Sequence, residues 1–418
     1  MSSFRAPFTW RPDGSPSLGP DFLRLWWSAA LTNLGGGSLL AAGPLLVAAL
    51  TDSAAVVAGA AFVQMLPTLL FSLTSGALVD RWSRRAVLVS ANLARAIVLA
   101  VLAAVLLAGV PPVWVLYAAL FVLGVAETLA APAYGAMVVS VVPRALLGRA
   151  NARLALTFSL NNQLLGPPLG ALMFGAAWAF PFGFDAIAHV MAALLVLRIA
   201  VPPVPKPETG GKAGDGQRTA LRSAVRDGLA YVWQTSALRT LCACILVMNL
   251  TGVGAFAIWV VYAQERLGLS DTQFGLFISA GALGGLVGSA VFEWLEPRLG
   301  LVFLLRWGLV VEALTYAALA LASNGIVAGA VMVLFGVHTM VWGTAAVTVR
   351  QRATPDRLLG RVGSVYRWTD IGGAALGALL GGILAEHVGL LAPFWLAAAS
   401  VGALTLAVWR PLGVARPL

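Results

Sequence analysis

The stretch Pro143-Arg144-Ala145-Leu146-Leu147-Gly148-Arg149 returns, 212 residues later, as Pro355-Asp356-Arg357-Leu358-Leu359-Gly360-Arg361. The same offset carries Gly124-Val125 onto Gly336-Val337, Gly76 onto Gly288 and Trp82 onto Trp294. Separate agreements at one offset mark an internal duplication. The offset is close to half of the 418 residues, so each copy fills about half the chain.

The copies are too apolar for water. Hydrophobic residues make up 60% of the chain and charged residues 11%, with a mean hydropathy of +0.88. A soluble domain is about half apolar and a quarter charged. The 45 Gly and 22 Pro sit within apolar runs, where membrane helices tolerate them. Between charged or Pro/Gly breaks the sequence predicts twelve spans. They are 22–50, 54–79, 86–109, 112–140, 150–174, 179–200, 239–263, 272–295, 301–322, 326–349, 361–385 and 390–410. Each is long enough for about 30 Å of hydrocarbon.

The expected architecture is an all-α membrane protein of two pseudo-symmetric six-helix bundles, 22–200 and 239–410. A segment 1–21, a linker 201–238 and a tail 411–418 complete it. The linker begins Val201-Pro202-Pro203-Val204-Pro205-Lys206, and its tail from Leu221 to Trp233 reads as an amphipathic helix along the membrane surface. Residues 1–20 are polar and Pro-rich, without a signal-peptide pattern, and the apolar run from Leu23 is too long for a cleaved one.

Charge sets the expected orientation. Of 27 Lys and Arg, 24 fall in alternate connections and the flanks of the chain. The opposite side has Arg266 alone, and Arg95 and Arg367 lie within spans. The positive-inside rule then places both termini and the linker in the cytoplasm, in a multi-pass cytoplasmic-membrane protein. The net charge of +10 therefore has a topological cause. No basic stripe interleaved with aromatics points to nucleic acid.

Gly76-Ala77-Leu78-Val79-Asp80-Arg81-Trp82-Ser83-Arg84-Arg85, between spans 2 and 3, resembles the loop signature G-x-L-x-D-R-x-x-R-R/K of the major facilitator superfamily. Asn33 through Leu66-Pro67, and Gly148-Arg149-Ala150-Asn151-Ala152 followed by Gly166-Pro167, resemble its enterobactin-exporter and macrolide-efflux branch. The resemblance implies a secondary transporter working by alternating access. In that family the loop latches the two halves on the cytoplasmic side. Gly76, Asp80, Arg81, Arg84 and Arg85 would form the latch here, with Asp80 meeting the start of span 11 near Gly360 and Arg361. The second copy has Phe292 and Glu293 at the Asp and Arg positions, so the latch is expected in the first half only. Gly166-Pro167-Pro168-Leu169-Gly170 resembles the family's antiporter motif, with Asn162 at an upstream position where Gly is expected. Gly373, Gly377 and Gly381 in span 11 read as packing.

Ionisable groups at membrane depth are functional candidates because burying them is costly. The resemblance puts spans 1, 4, 7 and 10 around the cavity, which ranks Glu127 first for proton coupling and His338 second, with Asp370 and Asp185 behind. Glu312 is expected to serve packing. Arg367 and Asp370, three residues apart, are expected to neutralise each other, and Arg95 to snorkel to the cytoplasmic side. No basic residue in span 4 is placed to hold Glu127 permanently charged, so an exporter could use a proton on it; His338, across the cavity, is a group that could hold it charged. Cavity candidates are Asn33, Ser38, Gln64, Asn161, Asn249, Phe256, Trp259 and Trp342. Sparse polar groups on an apolar wall suit a small amphipathic ligand.

These features predict a proton-coupled exporter of a drug, siderophore or secondary metabolite, working as a monomer in the bilayer. The alternatives are a lipid or lysophospholipid flippase of the same fold and a non-transporting sensor or scaffold. An enzyme is not expected. His189, His338 and His387 have no metal-ligand spacing, and no nucleophile has a base nearby in sequence. No Gly-x-x-x-x-Gly-Lys-Ser/Thr loop is present for ATP. Cys242 and Cys244, one residue apart in an apolar run, imply neither a disulfide framework nor a metal site. No cofactor is expected.

Overall fold

A computed structural model describes residues 17–79, 82–200 and 226–414, the side chains of 72–79 and 413–414 excepted. The protein is all-α, with no strand among the described residues. Its long helices are α1 (Gly19–Leu50), α2 (Ala54–Val79), α3 (Arg84–Ala108) and α4 (Val113–Val141). Next comes α5, in three consecutive pieces, Leu147–Thr157, Phe158–Leu165 and Gly166–Ala176, followed by α6 (Phe180–Leu197). After the linker come α7 (Ser236–Phe256), α8 (Asp271–Leu299), α9 (Leu301–Leu321), α10 (Gly325–Arg352), α11 (Leu359–Val388) and α12 (Ala392–Val414). All but the interrupted α5 are long and apolar enough to cross a membrane.

The sequence repeat is a backbone repeat. A single 3₁₀ turn precedes α5 at Arg144–Leu146 and α11 at Asp356–Leu358. Pro143 and Pro355 enter with ψ of 140° and 144°, and Leu146 and Leu358 leave with φ of −106° and −109°. Proline fixes its own φ and cannot donate an N–H, so it starts a helix cleanly in both copies.

The chain forms two compact units. One gathers Met1–Leu50, Val63–Pro205 and Asp271–Ser279; the other gathers Thr51–Phe62, Lys206–Ser270 and Ala280–Leu418. In the first, α1 lies along α5 and α6, and α3 lies against α4 and α6. In the second, α11 runs along α7, α9 packs on α10 and α12, and α12 on α7.

In lipid, helices gain little from burying apolar surface, so close contact between small residues decides which pairs form. A methyl group at Gly170 would sit 1.9 Å from the Ser38 carbonyl oxygen, and one at Gly166 would sit 2.5 Å from Gly37 Cα. The second unit repeats the device: a methyl at Gly381 would stand 2.3 Å from Gly254 Cα. Glycine there lets backbone lie on backbone.

Phe158–Leu165 is π-helical, and the Gly166 N–H reaches back five residues to Asn161 O. Pro168 lacks the N–H that would bond Leu164 O. Ser279 Oγ from α8 donates to that carbonyl instead, at 2.7 Å. A neighbouring hydroxyl thus satisfies what the proline frees, as hydrocarbon requires.

The linker helix at 226–234 puts one face on protein. Val232 packs with Leu238, Ala353 and Val362, Tyr231 Oη donates to Ala353 O at 3.1 Å, and Leu229 and Trp233 stay exposed.

Candidate functional site

Each unit buries a carboxyl group beside an imidazole. In the first, Asp185 and His189 lie one turn apart on α6, with side chains 3% and 4% exposed. His189 Nδ1 stands 3.0 Å from both the Asp185 carbonyl oxygen and its Oδ1. Only the carbonyl meets hydrogen-bond geometry, so Oδ1 is buried without a hydrogen bond. Glycine at position 35 on α1 leaves room for that oxygen, since a methyl there would overlap it.

Arg95 of α3 joins the cluster. Its Nη1 is 3.4 Å from His189 Nε2, and Nη2 pairs with Glu127 Oε2. A guanidinium only donates, so His189 Nε2 is the accepting atom of this contact. Glu127 is 63% exposed and has the cation; the buried Asp185 does not. The expected snorkelling of Arg95 is thus corrected, and Glu127, which has no basic residue in its own span, pairs with Arg95 instead of His338. The partner comes from the neighbouring helix, 32 residues away in sequence.

In the second unit His338 Nε2 of α10 lies 3.0 Å from Glu312 Oε2 of α9. Tyr316 Oη, a turn along α9, donates to Glu312 Oε1 at 3.3 Å. Glu312 and His338 side chains are 3% and 4% exposed. The glycines at 252 and 308 make the space. A methyl at Gly252 would touch Tyr316 Oη, and one at Gly308 would stand 3.3 Å from His338 Cε1 and 2.6 Å from Trp342 Cδ1. No Lys or Arg among the described residues forms an ion pair with Glu312. His338 is thus the partner of Glu312 rather than of Glu127, which pairs with Arg95.

Aromatic rings cover this pair. Phe256 of α7 meets Trp259 edge-on at 4.1 Å and Phe335 of α10 at 5.1 Å. Phe335 in turn lies 6.0 Å from Tyr316 and 6.1 Å from His338.

The remaining sequence candidates divide between packing and open positions. Ser38 is fully buried and donates to Gly35 O at 2.7 Å, which removes it from the cavity candidates. Trp342 is 4% exposed and packs over Gly308, so it too is core. Asn161 donates to Ala30 O at 3.0 Å, and Asn162 to the Asn33 carbonyl at 3.3 Å. Gln64 is exposed. Asp370 accepts from Asn249 of α7 instead of forming an ion pair with Arg367. Gly166, Pro167 and Gly170 shape the α1–α5 contact.

Of the loop signature, Gly76 falls in the last turns of α2, while Asp80 and Arg81 lie outside the described residues. Arg84 donates to Ala136 O and Ser140 Oγ of α4, and Arg85 to Ile199 O. These two arginines tie the start of α3 to the end of α4 and to the segment after α6. Ser83 caps α3 by accepting from the Ala86 N–H.

The profile of the Major Facilitator Superfamily matches residues 25–370. The chain is 28% identical over 401 residues to the multidrug efflux pump Tap of Mycolicibacterium fortuitum, covering 90% of this chain and 91% of that one. It is 26% identical over 258 residues to the enterobactin exporter EntS of Salmonella paratyphi A, over 57% and 56% of the two chains. The crystal structure of a bacterial homologue of the iron transporter ferroportin, in its inward-facing state, superposes with a TM-score of 0.71. That match has 18% identity and covers 94% of this chain and 98% of the other, which makes the fold the same.

Proposed function

The chain belongs to the major facilitator superfamily, and from that premise we propose that it exports a small amphipathic molecule from the cytoplasm in exchange for protons. Two relatives named as exporters, one aligned over nine-tenths of the chain, support the direction. The observation that carries the coupling is the buried Glu312, held by His338 and Tyr316 without a permanent cation.

A carboxylate in low dielectric strongly disfavours its charge unless a partner compensates it. His338 as a neutral Nε2–H donor leaves the pair at −1. One added proton makes it neutral, whether it sits on the carboxyl or the imidazole. The pair thus stores one proton per cycle. Phe256 and Phe335, with Trp259 edge-on to Phe256, offer an apolar surface to a ligand; both lie against Tyr316, and Phe335 against His338, so a ligand that moves those rings also moves the proton's partners. Alternating access then exchanges ligand and proton across the membrane. By the charge asymmetry, both termini lie in the cytoplasm.

The test is the purified full chain in proteoliposomes with ethidium as probe. A pH gradient, acid on the side equivalent to the exterior, is expected to drive ethidium uphill toward the acid side. Collapse of the gradient by a protonophore should abolish the accumulation. Ethidium movement that ignores the gradient would overturn proton exchange, and no movement of any amphipathic cation or neutral dye would overturn export.

A further inference from the structure

The duplication places one arginine at the same point of each copy: Arg149 at the start of α5 and Arg361 at the start of α11. Each borders an open cleft. The first, about 440 Å³, is lined by Leu18, Gly19, Pro20, Leu23, Arg149 and Arg153. The second, about 420 Å³, is lined by Ala230, Tyr231, Leu358, Arg357, Arg361 and Asp227 among others. Leu18 and Gly19 correspond to Ala230 and Tyr231 at the offset of 212. The clefts are two copies of one feature.

They differ in charge. In the second, Arg361 Nη1 donates to Asp227 Oδ2 at 2.8 Å, so a carboxylate from the linker helix fills the position in front of the arginine. The residue 212 positions before Asp227 is Ser15, which has no charge. Among the described residues neither Arg149 nor Arg153 forms an ion pair, and the nearby acid Asp21 is taken by Arg24 at 2.6 Å.

The first cleft continues into an apolar surface. Leu23 and Trp27, one turn apart on α1, are 45% and 55% exposed. Leu156, one turn beyond Arg153 on α5, is 53% exposed. Two guanidinium groups above an exposed apolar strip match an acidic phospholipid, phosphate on the arginines and acyl chain along the strip. A free anion would have no use for the strip.

We propose that Arg149 and Arg153 bind the headgroup phosphate of an anionic phospholipid of the cytoplasmic leaflet, at the position its twin cleft fills with the Asp227 carboxylate. α1 and α5 are the helices this site joins, and they meet at Gly37, Gly166 and Gly170. A lipid seated there bridges the ends of both.

Native mass spectrometry of the purified full chain with phosphatidylglycerol or phosphatidylcholine tests this. Wild type is expected to retain one phosphatidylglycerol in preference to phosphatidylcholine. R149Q/R153Q should lose that preference by about 25-fold, at about five-fold per surface cation, with unchanged thermal unfolding in phosphatidylcholine. Asp227→Asn, which leaves Arg361 without its internal carboxylate, should raise the retained phosphatidylglycerol from one to two. Wild-type retention in the double variant, or a count unchanged in Asp227→Asn, would overturn the proposal. Displacement of the lipid by millimolar inorganic phosphate would also overturn it, assigning the cleft to a free anion.

Discussion

In the first unit the buried acid and imidazole share one helix, and an arginine from α3 reaches the imidazole and a second, exposed carboxylate. In the second unit they stand on neighbouring helices, and the third member is a tyrosine hydroxyl. The residue types are nearly the same, but the charge balance is not. Arg95 compensates one of two carboxylates and also contacts His189. Among the described residues Glu312 forms hydrogen bonds with Tyr316 and His338 and no ion pair with Lys or Arg. On the function proposed above, a permanent cation makes a structural ion pair, whereas its absence makes the second cluster the one to take up a proton. Glu127, exposed and paired, belongs to the first kind.

The largest effect is expected from breaking the second cluster. Glu312→Gln keeps the shape and the hydrogen bonds of the protonated acid but cannot release the proton. Gradient-driven ethidium accumulation should fall to the level of protein-free vesicles, while downhill ethidium exchange persists. Uphill accumulation at the wild-type rate would remove Glu312 from coupling.

Gly308→Ala sharpens the same side of the comparison by crowding His338 and Trp342. Overpacking costs about 1–3 kcal/mol, read as a lower thermal midpoint in detergent, and the loss should be recovered in part by Trp342→Phe. If Gly308→Ala unfolds like wild type, the α9–α10 contact is looser than described.

Arg95→Met attacks the first cluster. Removing hydrogen bonds to a charged partner and to His189 is expected to destabilise by about 1–2 kcal/mol. Adding Glu127→Gln should return much of it, because the carboxylate then no longer lacks a cation. Strict additivity in that cycle would show that the two side chains do not interact.

The smallest effect is expected from Glu127→Gln alone. An ion pair with one partner this exposed contributes about 0–1 kcal/mol, and uphill transport should remain near wild type. Loss of coupling in this variant with coupling intact in Glu312→Gln would reverse the assignment.

Much of the fold was written in the sequence. Span ends agree with helix ends within a few residues at most positions, because Pro143, Pro355 and the charged connections stop apolar runs where helices stop. The offset of 212 residues anticipated the paired 3₁₀ turns, since the same local residues adopt the same backbone. The ionisable residues at membrane depth were also legible one by one, Glu127, Asp185, Glu312 and His338 among them.

Their partners were not. Arg95 meets Glu127 across 32 residues, and Glu312 meets His338 across 26. A helical pattern reports which face a residue occupies within its own helix, with no information on which neighbour's residue stands at the same height. Ser38 and Trp342 looked like cavity residues for that reason, and packing against Gly170 and Gly308 made them core. Whether Arg149 faces an open cleft and its twin Arg361 a carboxylate was likewise set by where the linker helix docks. Local chemistry and periodicity determine helices, their ends and their charged candidates. Distances between side chains on different helices follow from helix rotation and depth, and only the packed tertiary structure decides those.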